Sequence, residues 1–383
     1  MALTDVFISP AGAGDNSGSS VANALPAIDS GDWSTDIEGL DRANKRFVFL
    51  SGTYAHTTQL TFSGSAPTDD QPCQWVGADS SGNILRPKFD SSGIRLDLTN
   101  YPLFVNSANT SSVNTEEHTF YKCLSFENTS TSYSQGAVVE ATTADVDAQS
   151  WFGCSFKAKT ANSAAEVGIA NNANYSMCVF EAVTANFDRV LDVRSNCNVD
   201  NCRIIGAGGY DGGIVAGDGD GITVTGFSGI IRNTVIMNCH GDGILFNQTN
   251  ARQNPNIQNC TIINVGGDGV DVSLVTSNTN TTTQGIIEGN IIFNAAGKGI
   301  KAAAADDRQS GGQLVAMGEN GANFENMDSY EDTYDVIPIT TADFIDYANN
   351  DFRIRRDSVL YKFYGDANFG AFQNEDYEFA SVS

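Results

Sequence analysis

Basic residues are scarce in this chain of 383 residues: 21 Lys and Arg stand against 46 Asp and Glu, a formal net charge of −25. Phosphate binding needs a concentrated basic face. The one basic cluster, Arg353, Arg355 and Arg356, lies among acids, so a nucleic-acid partner is excluded. No run of 18 apolar residues occurs, which excludes a transmembrane helix and leaves no membrane partner to expect. No Cys-x-x-Cys pair of the zinc type is present among the eight cysteines. Proline is rare, at 8, and charged residues make up only 17%. Low charge with many Gly, Asn, Ser and Thr suits an all-β chain of short strands, and 41% hydrophobic content is enough to fill a core. No basic n-region, apolar h-region or cleavage site precedes Val6-Phe-Ile-Ser9, so no signal peptide is expected.

What the chain does contain is a degenerate repeat. Asn233-Thr-Val-Ile236-Met-Asn238 returns as Asn259-Cys-Thr-Ile262-Ile-Asn264 and as Gly289-Asn-Ile-Ile292-Phe-Asn294. Earlier copies are Asn201-Cys-Arg-Ile204, Cys178-Val-Phe180, Cys154-Ser-Phe156 and Cys123-Leu-Ser-Phe126. The anchors Phe126, Phe156, Phe180, Ile204, Ile236, Ile262 and Ile292 are separated by 30, 24, 24, 32, 26 and 30 residues. Self-similarity at this period with no helical pattern predicts a solenoid of parallel strands, one coil per repeat. Stacked coils place equivalent residues about 4.8 Å apart, so like side chains form ladders.

Two structural ladders are predicted. Cys154, Cys178, Cys202, Thr234 and Cys260 precede their anchors by two, and Asn238, Asn264 and Asn294 follow theirs by two. Cysteines recurring in one register read as buried reduced thiols, suited to a reducing cytoplasm. The corners Gly241-Asp242-Gly243, Gly267-Asp268-Gly269 and Gly297-Lys298-Gly299 then restart a strand, with glycine expected to supply positive φ. The expected organisation is an N-terminal cap and first strand over 1–55, a parallel β-helix over 56–310, and a capping or association segment over 311–383. Thr35-Asp-Ile-Glu38 has the capping-box pattern, giving a cap helix over 35–45 with Ile37 and Leu40 on one face, before a strand at Arg46–Tyr54. The last segment has 14 acids against 4 bases and is rich in aromatics.

The opening Val6-Phe-Ile-Ser-Pro-Ala-Gly-Ala-Gly-Asp15-Asn-Ser-Gly18, then Ser51-Gly-Thr-Tyr54, Asp351-Phe-Arg-Ile354 and Gly370-Ala-Phe372 resemble the boundary segments of pectate-lyase-like right-handed parallel β-helix proteins. The resemblance implies an all-β, single-stranded right-handed parallel β-helix. That group holds polysaccharide lyases, glycoside hydrolases, epimerases and phage tailspike or virion-surface proteins, and fold does not choose among them. Polygalacturonase-like hydrolases carry an Asn-Thr-Asp segment, an Asp-Asp pair, a Gly-His-Gly segment and an Arg-Ile-Lys segment. Here Asp306-Asp307 falls after the only His that fits, Cys239-His240-Gly241 matches by half, and the other two are missing. Pectate-lyase chemistry needs an acid cluster for calcium and a Lys or Arg base.

The acids to examine are Asp211, Asp218, Asp220, Asp242 and Asp268. Asp242 and Asp268 share a turn on adjacent coils, where like charges raise a pKa or recruit a cation, and Lys298 is next in line to pair with Asp268. Catalytic candidates are Asp242, Asp268 and His240; metal candidates are Asp218, Asp220, Asp242 and Asp268, with Ca²⁺ the cation to test and no other cofactor expected. Against these stands a plainer reading, in which Gly-Asp-Gly is a solvated turn. The function expected is that of a bacteriophage virion structural protein, a capsid decoration, head fibre or tail appendage. It would be assembled in the host cytoplasm as a homotrimer by analogy with this class, with other virion proteins and host surface polysaccharide as partners. The alternatives are a lyase or glycoside hydrolase acting as a depolymerase on acidic polysaccharide, and a non-catalytic carbohydrate-binding adhesin.

Overall fold

The computed structural model describes residues 3–27, 29–61, 63–108, 113–114, 118–130, 139–140, 149–158, 166–183, 187–194, 196–206, 219–226, 229–247, 256–274, 286–302, 313–325, 334–360 and 370–371. Short strands pair in parallel with their equivalents one coil away, in three sheets termed A, B and C, which is a right-handed parallel β-helix. Two units are distinguished, one of residues 1–87 and 96–187, the other of 88–95 and 188–383.

In the first unit, sheet A contains Lys45–Leu50, Cys73–Ala78, Thr119–Lys122, Gln149–Phe152 and Ala173–Ser176, and sheet B contains Gly52–His56, Pro102–Asn106, Ser125–Asn128, Ser155–Ala158 and Val179–Ala182. Registered pairing stacks Tyr54, Phe104, Phe126, Phe156 and Phe180 in sheet B. Their ring centroids are 4.7–5.7 Å apart. Facing them, sheet A stacks Trp75, Tyr121, Trp151 and Tyr175. Edge-on contacts such as Trp151 with Phe156, at 5.3 Å, join the two rows, each pair adding about 0.5–1.5 kcal/mol beyond area burial. The ladder begins two coils before the first anchor recognised in the sequence.

In the second unit the same position is aliphatic: Ile204, Ile236, Ile262, Ile292 and Met317 lie in register. Parallel pairing continues past residue 310 through Gln313–Gly318 and Tyr334–Pro338. It is followed by an antiparallel pair, Phe344–Asp346 with Asp351–Ile354. Rings of Phe344 and Tyr347 each sit 5.3 Å from Phe293.

The corner between sheets A and B explains the cysteine row. One residue turns left-handed: Gly153, Met177, Asn201, Asn233, Asn259 or Gly289, with φ between 51° and 65°. The next side chain then bonds back across the turn. Thr234 Oγ1 donates to the Arg232 carbonyl at 2.8 Å, and Cys202 and Cys260 thiols donate to the carbonyls two residues earlier at 3.3 and 3.4 Å. Asn238, Asn264 and Asn294 form the other left-handed row, each with φ 56°. Asn294 Nδ2 donates to Asn264 Oδ1 at 2.8 Å, and Asn264 Nδ2 to Asn238 Oδ1 at 3.3 Å. Tyr347 Oη bonds to Asn264 Oδ1.

Two local expectations are corrected. The cap helix runs over Ser30–Ile37 instead of 35–45. Asp29, not Thr35, caps it, accepting the Gly31 and Asp32 amides at 2.7 and 3.0 Å. Trp33 and Ile37 are its buried face. The expected strand over Arg46–Tyr54 is two strands in different sheets, broken at Ser51 and restarting at Gly52, whose φ is 144° and where a Cβ would meet Pro10 Cγ at 2.6 Å.

Because Thr234 and Cys260 make the same bond in adjacent coils, Cys260→Thr is expected to leave stability nearly unchanged, and Cys260→Ala to cost about 1–2 kcal/mol for the lost thiol bond and a small cavity. Urea unfolding midpoints of the two variants test this.

Candidate functional site

The Gly-Asp-Gly corners lead from sheet B to sheet C in the second unit. Sheet C places Ile222, Ile244, Val270 and Ile300 in one register. Two residues earlier, Asp220, Asp242, Asp268 and Lys298 therefore stand over one another. Gly219-Asp220-Gly221 is thus a further copy of the corner, which the sequence shows but the repeat alignment passed over.

Each carboxylate is held by the next coil. Asp242 N–H donates to Asp220 Oδ1 at 2.9 Å, Asp268 N–H to Asp242 Oδ1 at 2.6 Å, and Lys298 N–H to Asp268 Oδ1 at 2.6 Å. Thr223 Oγ1 donates to the other oxygen of Asp220 at 3.1 Å. This contact, not positive φ, is what demands the first glycine at 241, 267 and 297, while a Cβ on Gly243 or Gly269 would meet an isoleucine Cγ2 at 2.4 Å. Among the corner glycines only Gly219 is left-handed. A Cβ on Gly241, Gly267 or Gly297 would lie 2.2–2.3 Å from the aspartate oxygen of the coil before.

A lysine completes the cluster. Lys301 Nζ lies 2.7 Å from Asp271 and 3.1 Å from Asp268, and Lys298 pairs with Glu325 at 3.5 Å instead of with Asp268. Asp271 and Lys301 were not among the residues singled out in the sequence. Their signal was the spacing, since each follows by three residues the ladder residue of its own coil. Burial alone would lower the Lys301 pKa, but its bonds to Asp271 and Asp268 raise it above the usual value. Burial pushes Asp220 up to about 6, against the bonds from Asp242 N–H and Thr223. Asp242 is raised further, to about 7, by burial and then by the charge of Asp220.

Oxygens of Asp242, Asp268 and Asp271 come within 4.8 Å of one another. Calcium takes six to eight oxygens; this set offers three carboxylates, two of them bonded to Lys301, and is a poor fit. His240 stands beside Gly241, but its Nε2 is shielded from solvent and has no hydrogen-bond partner among the described residues. No bond there joins it to Asp242 or Asp268. Asp211, Asp218, Asp306 and Asp307 lie outside the described residues.

Sheet B has two kinds of outward face, each within its own unit. In the first unit the row Ser125, Ser155, Val179 is buried, while the row Glu127, Lys157, Glu181 is partly open, with Lys157 3.5 Å from Glu181. In the second the rows read Arg203, Val235, Thr261, Ile291 and Ile205, Met237, Ile263, Phe293, and all eight are buried. Gly370 N–H donates to the Gly289 carbonyl at 2.8 Å and Ala371 N–H to Thr261 Oγ1 at 2.9 Å. Arg203 donates to the Gly93 carbonyl at 2.6 Å, its guanidinium 4.3 Å from the Phe89 ring centroid. A polymer-binding groove on that face is therefore closed by the chain's own residues.

No protein-family model matches this sequence, and no curated protein does. Among solved structures, the crystal structure of pectate lyase Pel9A is similar, with 12% identity and a TM-score of 0.49 over 98% of this chain and 97% of that one.

The raised carboxyl pKa values carry a sign. Protonated Asp242 and Asp220 favour the folded state, so their contribution is complete below about pH 3.8 and is lost as pH rises through 6 and 7. Asp242→Asn keeps the Oδ1 acceptor without the charge. It is expected to be more stable than the parent at pH 8, by about 2–4 kcal/mol, and to show little difference at pH 4. Urea titrations at the two pH values measure the gap; equal gaps would refute the ladder's role.

Proposed function

We propose that this protein is a structural β-helix displayed on the surface of a bacteriophage particle, as a capsid decoration, head fibre or tail appendage, where it meets host glycans. The observation that carries the reading is the state of the acids. Asp220, Asp242 and Asp268 each hold the backbone of the next coil, and Asp268 and Asp271 share Lys301. Groups fixed in this way maintain a scaffold; a lyase or hydrolase needs carboxylates open to substrate.

Two further features support it. All eight cysteines are buried and none forms a disulfide, as suits a chain folded in a reducing cytoplasm and released with the particle. A net charge of −25 keeps a many-copy assembly soluble. The homotrimer is part of the proposal, and a sedimentation mass of three chains is its expected signature.

Mass spectrometry of purified particles is expected to find the protein in stoichiometric multiples. Incubation with host capsule or pectin is expected to give no new reducing ends and no unsaturated products. Product formation abolished by Asp242→Asn, which keeps the corner's hydrogen bond, would replace this reading with a depolymerase.

A further inference from the structure

The first unit carries a second group of polar and aromatic side chains, away from the carboxylate ladder. On the outward side of sheet A, Gln74, Phe120 and Ser150 stand in one row on three successive coils. Together with Asp69, Pro72 and His118 they line a depression of about 290 Å³. That volume is at the lower limit for small-molecule sites, which suits one ring better than a long segment of polymer.

Asp69 and His118 are fixed on each other, with Oδ1 and Nδ1 2.8 Å apart, while the Asp69 side chain remains 79% exposed. His118 is left-handed, with φ 50°. The corner just before the sheet A strand is filled in other coils by Asn44, φ 59°, and Asn172, φ 50°. Asparagine therefore satisfies the backbone there, and histidine brings an imidazole that the corner itself does not require.

We propose that this depression is a carbohydrate subsite that takes one neutral sugar ring, with Phe120 against its C–H face and Asp69, Gln74 and Ser150 bonding its hydroxyls. A sugar hydroxyl both donates and accepts. The Asp69 carboxylate accepts, the Gln74 amide does both, and the Ser150 hydroxyl does both. Phe120, half-buried, supplies the apolar surface that a sugar's C–H face needs. The ring is neutral because a uronate would bring its charge to Asp69 on a chain of net charge −25. The choice of a glycan rests on the surface-display reading; the arrangement of side chains does not.

The test uses the full-length protein, labelled and applied to an array of neutral and acidic oligosaccharides, followed by calorimetric titration with the neutral oligosaccharide that gives the strongest signal. Neutral oligosaccharides are expected to bind. Phe120→Ala and Asp69→Ala are each expected to weaken binding by about tenfold. Asp69 is exposed, so its variant keeps the parent's unfolding midpoint and serves where loss of Phe120 disturbs the sheet. Gln258→Ala, on sheet A of the second unit, is expected to bind as the parent does. The inference is overturned if nothing on the array binds, if only acidic oligosaccharides bind, or if Asp69→Ala binds like the parent. Particle mass spectrometry involves no sugar, so either reading can fail while the other stands.

Discussion

Parallel stacking sets each side chain about 4.8 Å from its counterpart one coil away, so a residue type is admitted only if it tolerates a neighbour of its own kind. Rings meet this condition by lying face to face, as Phe104, Phe126, Phe156 and Phe180 do. Amides meet it by donating to one another, as in Asn238, Asn264 and Asn294. Thiols and hydroxyls turn back onto their own strand's carbonyls. Carboxylates are the hard case, because like charges at this distance repel. The ladder of Asp220, Asp242 and Asp268 answers with three devices: amide donors from the next coil, raised affinity for protons at Asp220 and Asp242, and the ammonium of Lys301 at Asp268.

Much of this was legible because stacking is itself a repeat. Anchors that recur every 24–32 residues fall in register, so aligning the sequence with itself located sheet B. The parts that were missed depend on contacts the repeat does not encode. Thr35-Asp-Ile-Glu38 has the pattern of a capping box, yet the helix begins earlier because Trp33 and Ile37 bury against the first coils, and Asp29 stands at the right place to cap it. Glycine at the Gly-Asp-Gly corners suggests a φ requirement, yet the first glycine at 241 and 267 makes room for a carboxylate from another coil and the second, at 243 and 269, for an isoleucine of the core. The exchange of Lys298 for Lys301 as the counter-ion depends on side-chain reach, which register alone does not give.

One further contrast was present in the sequence. In Ser125-Phe-Glu127 and Ser155-Phe-Lys157 polar residues flank the anchor, and Glu127 and Lys157 reach partly into solvent while the serines are buried; Val235-Ile-Met237, Thr261-Ile-Ile263 and Ile291-Ile-Phe293 are apolar throughout or nearly so, the mark of a strand buried on both faces. The second unit accordingly covers its sheet B with residues around Phe344, Tyr347, Gly370 and Phe89. The same comparison explains why the acids of that unit serve its construction: the face beside them is interior.

The covered face bears on how such a chain can change length over evolution. A coil whose outer surface is polar can be duplicated or lost with little consequence beyond its two stacking partners. In the second unit, Tyr347 is tied to Asn264, Phe344 packs on Phe293, and Ala371 bonds to Thr261. Removing one coil of 26 or 30 residues there would slide the closing segment against the wrong neighbours. The tail therefore acts as a ruler, fixing the number of coils beneath it, and variation in length is expected to accumulate in the coils it does not touch.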